Sequence, residues 1–425
     1  MRIVVWGTGQ TGLMTAREMM HQGHDVRLVD ENVPDKPFDI QVKALDKEDM
    51  VWADLVIPSP GIPRDHPMFA SAKKILSEIE IASSLLTGKI IAITGTNGKT
   101  TTTTLIYEIL KEAGLDVGLG GNISPPLISL ARKNPRYIVA EISSFQLEWI
   151  ERFRPAISVC MNITPDHLDR YRDMEEYANY KLKIFENQQA GDIAIVNDSD
   201  PYLKKIDTQA KRIGFSLEKG DSPVNAYIEN SRVVFTGSIK GHGPVLPDQR
   251  IFGAGVMEDM LAAAVASRVI GIENAVMEEV FRNFSVIHHR LEHIASINGV
   301  TFIDDSKATN LGAVEKALSG TTGKTVVILG GKDKGGDFSD LASRHKDVIK
   351  KAVIIGEATG RIVSEISDHV DCVAASDMNE AVQLAFDAAV SGDTVLLSPG
   401  CSSFDMYKSY ADRGDVFVQC VNTLR

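Results

Sequence analysis

The stretch that decides the fold is residues 90–110, IIAITGTNGKTTTTTLIYEIL. An apolar run enters a turn with two glycines, a lysine follows the second glycine, and a row of threonines leads into an apolar pattern of helical period. This order predicts a β-strand, a phosphate-binding turn and an α-helix whose N-terminus faces the anion. The usual phosphate-loop pattern, G-x-x-x-x-G-K-[ST], has a glycine where this chain has Ile93, so the sequence predicts a shortened form of that loop.

Each part of the turn has a predicted task. Backbone N–H groups would point at a phosphate, Lys99 would place its charge on the outer phosphates, and Thr100 would offer a hydroxyl to Mg²⁺. Thr101 is a candidate for a second hydroxyl. The competing interpretation is a glycine turn with a surface lysine, which the preceding strand and the following threonines disfavour. The residues predicted to bind ATP here are Gly95, Thr96, Asn97, Gly98, Lys99, Thr100 and Thr101.

Length and charge limit what the chain can be. A chain of 425 residues is too long for one hydrophobic core, so two to four domains are expected. The net charge of −12 argues against nucleic acid as a main partner, and no apolar run is long enough for a membrane span. The 4 cysteines have no paired spacing, which fits a reducing compartment. We therefore expect a cytoplasmic protein with no nucleic-acid partner and no membrane span.

The first block of the chain, residues 1–87, has the pattern of a Rossmann-like domain. A predicted strand leads to GTGQTG, which begins at Gly7 and matches G-x-G-x-x-G, and Asp30 ends the next predicted strand. The alternative is a βα turn that needs glycines only for tight packing. The block is short for a full dinucleotide domain, so a dehydrogenase is disfavoured. A rigid loop, PSPG at residues 58–61, follows the third predicted strand.

Two further blocks of alternating strands and helices follow. Residues 88–286 predict a mainly parallel sheet, with a small antiparallel excursion near residues 219–250. Residues 287–425 predict five strand–loop units with helices between them. The predicted fold class is α/β with three domains: a Rossmann-like domain over 1–87, a central phosphate-loop ATPase domain over 88–286, and a Rossmann-like doubly wound domain over 287–425.

Polar side chains stand directly after several of these predicted strands. Glu141 and His167 follow strands of the central block, where a carboxylate and an imidazole suit a divalent ion. The alternatives are an exposed strand-end acid and a hydrogen-bonded loop histidine. In the third block Lys307 is a second cation and Lys334 suits the carboxylate of a second substrate, although either can be a loop lysine. This combination predicts ATP-driven joining of a carboxylate to an amine through an acyl phosphate.

Several motifs resemble one family of enzymes. The segment TGTNGKTTT is similar to the ATP signature shared by Mur ligases and folylpolyglutamate synthetases. Six other segments, AEISSFQLE, MNITPDHLDRY, HHRLE, DDSKATN, GGKDKGGDF and LLSPGCSSFDMY, together resemble the D-glutamate-adding branch of the Mur ligase family. The resemblance spans nearly the whole chain. A Rossmann-like block precedes the phosphate loop, which disfavours a folylpolyglutamate synthetase.

The resemblance implies a reaction and its reactants. It implies one domain each for UDP, ATP and an amino acid, and an ATP-dependent ligase that adds D-glutamate to UDP-N-acetylmuramoyl-L-alanine in peptidoglycan precursor synthesis. ATP and two Mg²⁺ ions are the implied cofactors, and a monomer is expected. A sister ligase that adds another amino acid to a related precursor is the alternative. A non-catalytic protein that binds a UDP-sugar or nucleotide is a weaker alternative.

The resemblance also implies roles for individual residues. Those implied in catalysis are Lys99, Glu141, His167 and Lys181, and Lys181 matches a family lysine whose carbamylation creates a carboxylate that can hold Mg²⁺. The implied metal ligands are Thr100, Glu141, His167 and carbamylated Lys181. The UDP substrate would contact Gly9, Gln10, Thr11, Asp30, Ser59, Gly61 and Asn122. ATP would also contact Asp259, Arg290 and Asp305. The amino acid would be surrounded by Lys307, Thr309, Lys334, Ser403, Phe404 and Tyr410.

Two positions depart from the family pattern. The family's H-N-x-x-N run reads G-V-M-E-D at residues 255–259, so Asp259 stands where an adenine-side asparagine is usual. Neither residue after Asp30 is an arginine that could hold the diphosphate. The diphosphate contact is therefore expected to be weaker or to come from Arg64 or Lys36.

Overall fold

A computed structural model describes most of the chain as two compact units. The described residues are 1–33, 39–220, 224–247, 249–284, 288–321 and 323–424. The first unit comprises Met1–Ile163, Glu175–Val245 and Asp259–Phe281, and the second comprises Thr164–Met174, Leu246–Glu258 and Arg282–Arg425. The predicted boundary between residues 286 and 287 lies outside the described residues, as does Lys36. The predicted domain limits therefore stay a prediction.

The first unit begins with a small parallel sheet. Its strands are β1 (Arg2–Trp6), β2 (Asp25–Asp30), β3 (Val42–Ala44) and β4 (Leu55–Pro58), in the order β3-β2-β1-β4. Helix α1 (Gln10–His21) follows β1 directly, as the glycine pattern predicts. Strand β3 has no counterpart in the sequence prediction, because three residues with no buried side chain carry no apolar signal.

The same unit contains a second, nine-stranded sheet. Its strands are β5 (Lys89–Thr94), β6 (Val117–Gly121), β7 (Tyr137–Glu141), β8 (Ile157–Cys160), β9 (Ile193–Asn197), β10 (Lys211–Phe215), β11 (Ala226–Glu229), β12 (Arg232–Phe235) and β13 (Gly241–Val245). They lie in the order β13-β12-β11-β10-β9-β8-β5-β7-β6. Strands β11 to β13 pair antiparallel with one another, which confirms the antiparallel excursion, and the other pairs are parallel. Strands β6, β10 and β13 are additions to the predicted set, and β13 lies within the predicted antiparallel excursion.

Further α-helices lie in the described parts of residues 1–284. They are α2 (Lys47–Trp52), α3 (Glu78–Leu85), α4 (Lys99–Glu112), α5 (Ser144–Leu147), α6 (Met174–Leu182), α7 (Gln249–Ile270) and α8 (Asn274–Asn283). Helix α7 is interrupted at Gly253, where φ is 68°. Short 3₁₀ helices cover Pro67–Ser71, Leu127–Leu130, Lys183–Phe185 and Gly237–Ile239. Within the described parts of the chain, we find no helix with the length and apolar character that crossing a membrane requires.

The second unit is built on a six-stranded sheet. Its strands are β14 (Glu292–Ile297), β15 (Val300–Asp304), β16 (Thr325–Gly330), β17 (Ile349–Ile355), β18 (Cys372–Ala374) and β19 (Thr394–Gly400), in the order β14-β15-β19-β16-β17-β18. Helices α9 (Leu311–Gly320), α10 (Phe338–His345), α11 (Thr359–Ile366), α12 (Met378–Ala388) and α13 (Tyr410–Thr423) supply residues to two apolar clusters. The five parallel strands confirm the predicted doubly wound sheet.

An antiparallel edge strand is added to this sheet. Strand β14 pairs with β15 through a tight turn at Asn298 and Gly299, whose φ angles are 52° and 79°. An Asn-Gly pair between two apolar runs is a strong signal for a β-hairpin, because both residues tolerate positive φ. The sequence therefore contained the signal for β14, although only β15 was predicted from it.

Two buried glutamates of α3 accept hydrogen bonds from backbone N–H groups later in the first unit. The Glu80 carboxylate accepts the backbone N–H groups of residues 151–153 at 2.8–3.0 Å. The Oε1 atom of Glu78 accepts the N–H of Ile128 at 2.6 Å. Its Oε2 atom is buried with no hydrogen-bond partner in the described parts of the chain. Burial raises the pKa of Glu78 to about 7, against the lowering effect of the Ile128 hydrogen bond.

Glu78 is expected to make the protein less stable as the pH rises. A carboxyl whose pKa is raised by folding gives its full stabilisation below its unfolded pKa of about 4.5 and loses it as the pH approaches 7. The loss over this window is about 3 kcal/mol, from 1.36 kcal/mol per pKa unit. We expect Glu78→Gln to remove most of this decline. Denaturant unfolding at pH 5 and pH 8 measures it, with exposed Glu186→Gln as the control. Equal declines in wild type and Glu78→Gln would contradict the prediction.

Candidate active site

The phosphate-binding turn lies where the sequence predicts it, between β5 and α4. Gly98 is the residue before the helix and has φ of 86°, a conformation that other residues rarely adopt. A Cβ atom at this position would lie 2.2 Å from the Oδ1 atom of Asp259. The turn therefore requires glycine for both its backbone angle and its close packing. Asp259 itself is buried and lies beside this turn in the first unit.

Side chains from other elements fix the shape of the turn. The Thr96 hydroxyl lies 3.0 Å from the hydroxyl of Tyr177, and the Asn97 N–H donates to the Oδ1 atom of Asn162 at 2.8 Å. Asn162 returns a hydrogen bond to the carbonyl oxygen of Asn97 at 3.1 Å. Thr100 lies half-buried in the first turn of α4. The first N–H groups of α4 provide an end of positive potential, which suits a phosphate.

Two lysines meet at one carbonyl oxygen of this turn. The Lys99 Nζ atom donates to the carbonyl oxygens of Gly95 and Thr96, at 2.9 and 2.8 Å. The Lys181 Nζ atom donates to the same Gly95 oxygen at 2.8 Å. Lys181 is 2% exposed and lies on α6, far away in the sequence. A lysine in a helix is usually solvated, so the residues alone gave no reason to place Lys181 here.

An acidic residue at the end of the neighbouring strand adds a candidate metal ligand. Glu141 ends β7 and is 3% exposed, and its Oε1 atom accepts a hydrogen bond from the Asn122 side chain at 2.8 Å. Its Oε2 atom is buried, as is the hydroxyl of Thr101, and neither has a hydrogen-bond partner among the residues described. Two such oxygen atoms are suitable ligands for Mg²⁺, which prefers oxygen. The chemistry of these two oxygen atoms suits Mg²⁺, and the predicted metal role of Glu141 stays a prediction.

His167 belongs to the other unit. It lies in the segment Thr164–Met174 and has φ of 56°. Its backbone N–H donates to the Oδ1 atom of Asp166 at 3.0 Å. The predicted sharing of metal ions between Glu141 and His167 stays a prediction.

The glycine turn after β1 is held by Asp30. Its Oδ2 atom accepts both the N–H and the hydroxyl of Thr8, each at 2.7 Å. A Cβ atom on Gly12 would lie 1.8 Å from the carbonyl oxygen of Gly7, so this turn also requires glycine. The structure thus gives Asp30 a role in shaping the loop, and its predicted contact with UDP stays a prediction. The other predicted UDP residues lie close by: Gly9 precedes α1, Gln10 and Thr11 begin it, and Ser59 and Gly61 follow β4.

Hydrogen bonds join the loops of the two sheets in the first unit. The Ser124 hydroxyl lies 3.2 Å from the Oε1 atom of Gln10, at the start of α1. Two residues earlier, the Asn122 side-chain amide donates to the Glu141 carboxylate and the Asn122 N–H donates to the Glu141 carbonyl oxygen. The loop at residues 122–124 therefore contacts both Gln10, a predicted UDP-binding residue, and Glu141, the predicted metal ligand.

The second unit holds the residues predicted to surround the amino acid. The Lys307 Nζ atom lies 5.5 Å from the ring centre of Tyr410. Ser403 is buried, whereas Phe404 is 72% exposed. Thr309 lies in the loop between β15 and α9. Lys334 forms an ion pair with Asp166, at 3.2 Å between Nζ and Oδ1.

Asp305 and Arg290 also lie in the second unit. Asp305 is buried, and its carboxylate accepts the Ser398 hydroxyl at 2.9 Å and the Leu291 N–H at 3.3 Å. Burial raises the pKa of Asp305 to about 7, although the Ser398 hydrogen bond and the Arg290 charge act to lower it. These contacts give Asp305 a structural role, and its contact with ATP stays a prediction, as do those of Arg290 and Asp259.

Sequence reasoning missed Arg413, which organises the loops of the second unit. This arginine lies in the first turn of α13 and is 1% exposed. Its guanidinium donates to the hydroxyl and carbonyl oxygens of Ser306, and to the carbonyl oxygens of Cys401 and Gly330. These acceptors follow or end β15, β19 and β16. Lys307 and Ser403 lie one or two residues from them. Nothing in the sequence distinguishes Arg413 from a solvated helix arginine.

Comparison with known proteins agrees with this arrangement. Residues 1–82 match the family model "Mur ligase MurD-like, N-terminal domain", residues 93–266 match "Mur ligase middle domain", and residues 289–401 match "Mur ligase, glutamate ligase domain". A UDP-N-acetylmuramoylalanine--D-glutamate ligase from Trichlorobacter lovleyi is 38% identical over 445 residues, covering 100% of this chain and 99% of that protein. The chain belongs to the Mur ligase family.

Other relatives and solved structures extend the similarity. A second protein of the same name, from Solibacter usitatus, is 39% identical to this Mur ligase. The alignment covers 100% of this chain and 98% of the Solibacter usitatus protein. The pseudomurein peptide ligase type C from Methanothermus fervidus has a TM-score of 0.64 at 19% identity, and each chain is covered to 100%. The UDP-N-acetylmuramate-alanine ligase of Thermotoga maritima has a TM-score of 0.61 at 17% identity, with the same coverage. These two structures support the fold of this Mur ligase.

Proposed function

We propose that this Mur ligase joins D-glutamate to UDP-N-acetylmuramoyl-L-alanine at the expense of ATP, in peptidoglycan precursor synthesis. The observation that carries the proposal is the 38–39% identity, over the whole chain, to relatives named for that reaction. The reaction requires a nucleotide site that handles phosphates, and the turn with Lys99 and Lys181 has that character. We also expect a monomer that works in the cytoplasm, and sedimentation analysis of the purified protein tests the first of these.

The proposed chemistry has two transfers. The alanine carboxylate attacks the γ-phosphorus of ATP, the bond to ADP breaks, and an acyl phosphate forms. The amine of D-glutamate then attacks the acyl carbon, phosphate leaves, and the amide nitrogen loses a proton. Lys99 would offset the charge of the transferred phosphoryl group, because its ammonium is already held inside the phosphate turn. The N–H groups at the start of α4 would do the same for the phosphates beside it.

Magnesium is supported by the donor set of the first unit. When bound, Mg²⁺ supplies positive charge that offsets the phosphate oxygens. The buried Oε2 atom of Glu141 and the Thr101 hydroxyl are suited to hold it, with Thr100 beside them on α4. Asn122 orients Glu141 through its Oε1 atom. We propose that His167 serves a second ion.

Glu141→Gln is expected to weaken the metal site specifically. The amide keeps an oxygen for Asn122, but it replaces the buried Oε2 atom by a donor that cannot bind a cation. We expect the Mg²⁺ concentration for half-maximal rate to rise by about tenfold or more. Phosphate release measured across a Mg²⁺ titration tests this, with exposed Glu151→Gln as the control. An unchanged Mg²⁺ requirement would exclude Glu141 as a ligand.

Carbamylation of Lys181 is the finer part of the proposal. Lys181 is buried beside Lys99, and both ammonium groups contact the same carbonyl oxygen. Converting one of the two cations to a carbamate would relieve their repulsion and add a negative ligand for Mg²⁺. Incubation with ¹³C-bicarbonate is expected to give a carbamate signal in the ¹³C spectrum of wild type and none in Lys181→Arg. The same spectrum in both proteins would contradict the assignment.

Amino-acid specificity is the part of the proposal to test first. Phosphate release from ATP is measured with UDP-N-acetylmuramoyl-L-alanine and, in turn, D-glutamate, L-glutamate, L-lysine and meso-diaminopimelate. We expect release only with D-glutamate, and we expect mass spectrometry to show the UDP-linked dipeptide product. Release with another of the four amino acids would assign the chain to a sister reaction. Lys99→Met with D-glutamate measures the background of the assay.

A further inference from the structure

The Asp166 carboxylate in the second unit is held by a set of donors that suits any carboxylate. Its Oδ1 atom lies 3.2 Å from the Lys334 ammonium, and its Oδ2 atom accepts the Asn310 side-chain amide at 3.2 Å. The backbone N–H of His167 adds a third donor at 3.0 Å. Asp166 is 8% exposed, so these are contacts of a shielded site rather than of an open surface.

The orientation of these donors does not depend on Asp166 alone. Asn310 is the N-cap residue of α9, and its Oδ1 atom accepts the N–H of Ala313 at 3.0 Å. Its amide nitrogen is therefore directed away from the helix, toward Asp166. Lys334 stands in a glycine-rich turn, and the pocket beside it is lined by Gly335, Gly336 and Gly400 as well as by these polar groups. This pocket has room for little more than a water molecule, so a ligand carboxylate could reach Lys334 and Asn310 only if the Asp166 side chain moved away.

We propose that Asp166 occupies the position of a substrate carboxylate, and that the acidic amino acid must displace it from Lys334 and Asn310 in order to bind. This inference rests on the proposed function for the identity of the amino acid. A second carboxylate beside Asp166 would leave two negative charges on one ammonium, which is unfavourable in a shielded site. Asp166 thus sets a minimum strength of carboxylate binding that the amino acid must exceed in order to occupy the site.

The backbone around Asp166 can accommodate such an exchange. The residues between β8 and α6, 161–173, form no helix or strand, so movement of Asp166 breaks no element of regular structure. While an internal competitor occupies the site, a ligand cannot bind. The apparent affinity for the ligand is therefore the intrinsic affinity multiplied by the fraction of time that the site is free. Removing the competitor should then strengthen binding of the ligand, whereas removing a residue that merely positions Lys334 should weaken it.

A binding test that needs no catalysis examines the carboxylate site itself. In Asp166→Ala, acetate should replace the lost side chain and raise the melting temperature more than chloride does at equal ionic strength. Wild type should respond equally to acetate and chloride, and adding Lys334→Met to Asp166→Ala should abolish the acetate effect. Equal acetate responses in wild type and Asp166→Ala would overturn the proposal. This result does not depend on which amino acid the enzyme uses.

Steady-state kinetics then separates competition from positioning. Asp166→Asn keeps an oxygen for the His167 N–H but removes the charge, and we expect its KM for D-glutamate to fall by about three- to tenfold. The exposed Asp169→Asn makes the same change of charge in the same segment and should leave this KM unaltered. A higher or unchanged KM in Asp166→Asn would show that Asp166 positions Lys334 rather than competing with substrate. If Asp166→Asn does not fold, the acetate test with Asp166→Ala decides the question.

Discussion

Lys99→Met is expected to lower ATP consumption by about 10³-fold at saturating substrates, because it removes the cation from the phosphate turn. Methionine keeps most of the length of the side chain, so the packing of α4 should persist. The Lys99 ammonium is held by the carbonyl oxygens of Gly95 and Thr96, inside the turn where we propose that the phosphates of ATP bind. The rate of phosphate release with all substrates present measures the effect.

The matched control for this prediction lies on the same helix. Lys111 is in the last turn of α4 and its side chain is 59% exposed, paired with Glu108. Lys111→Met removes the same charge and should leave the rate within about twofold, because exposed ion pairs contribute little. If Lys99→Met retained the rate of Lys111→Met, the phosphate turn would have to act without its lysine, and the proposed mechanism would be wrong.

Arg413→Met is expected to destabilise the second unit by about 3–5 kcal/mol, since it leaves several buried acceptors without a donor. The arginine carries hydrogen bonds to Ser306, Gly330 and Cys401 from a site that is 1% exposed. Burial lowers the pKa of its guanidinium to about 10, so the group is still charged at neutral pH. Methionine fills part of the volume but offers no donor to these oxygens.

Amide hydrogen exchange measures this loss of stability strand by strand. The amides of β15, β16 and β19 are expected to exchange faster in Arg413→Met, while those of β5 and β7 keep their wild-type rates. Arg344 lies on α10 and forms exposed ion pairs with Asp340 and Glu315, so Arg344→Met should change stability by less than about 1 kcal/mol. Wild-type exchange in all three strands of Arg413→Met would show that the loops do not depend on this arginine.

The parts of the fold that the sequence predicted are those with a local cause. The phosphate turn needs glycine, lysine and threonine in a fixed order, so residues 95–100 could be predicted from their spacing alone. Strands β16 and β19 of the second unit are buried on both faces, and their apolar runs made them easy to recognise in the sequence. Strands β6 and β10 escaped because glycine-rich or half-polar sequences give weak β signals.

Contacts between distant parts of the chain could not be predicted from the residues. Lys181 lies 86 positions from the carbonyl group that it contacts, and Lys334 lies 168 positions from Asp166. No local pattern predicts such pairs, because the residues next to a lysine in the sequence do not show whether its side chain is buried or exposed. The resemblance to a family led to Lys181, whereas nothing in the sequence led to the ion pair of Lys334 or to Arg413.

The contacts between the two sheets of the first unit limit how this enzyme can be recombined. Glu78 and Glu80 bind backbone groups at residues 128 and 151–153, and Gln10 meets Ser124. A chimera that takes residues 1–87 from a sister ligase would place different side chains against residues 124, 128 and 151–153. We expect such exchanges to yield folded protein only when the segments 122–128 and 151–153 are transferred from the same parent. Residues 1–87 therefore form a structural unit together with two short segments of the following sheet. A chimera junction chosen from the sequence alone would separate residues 1–87 from those segments.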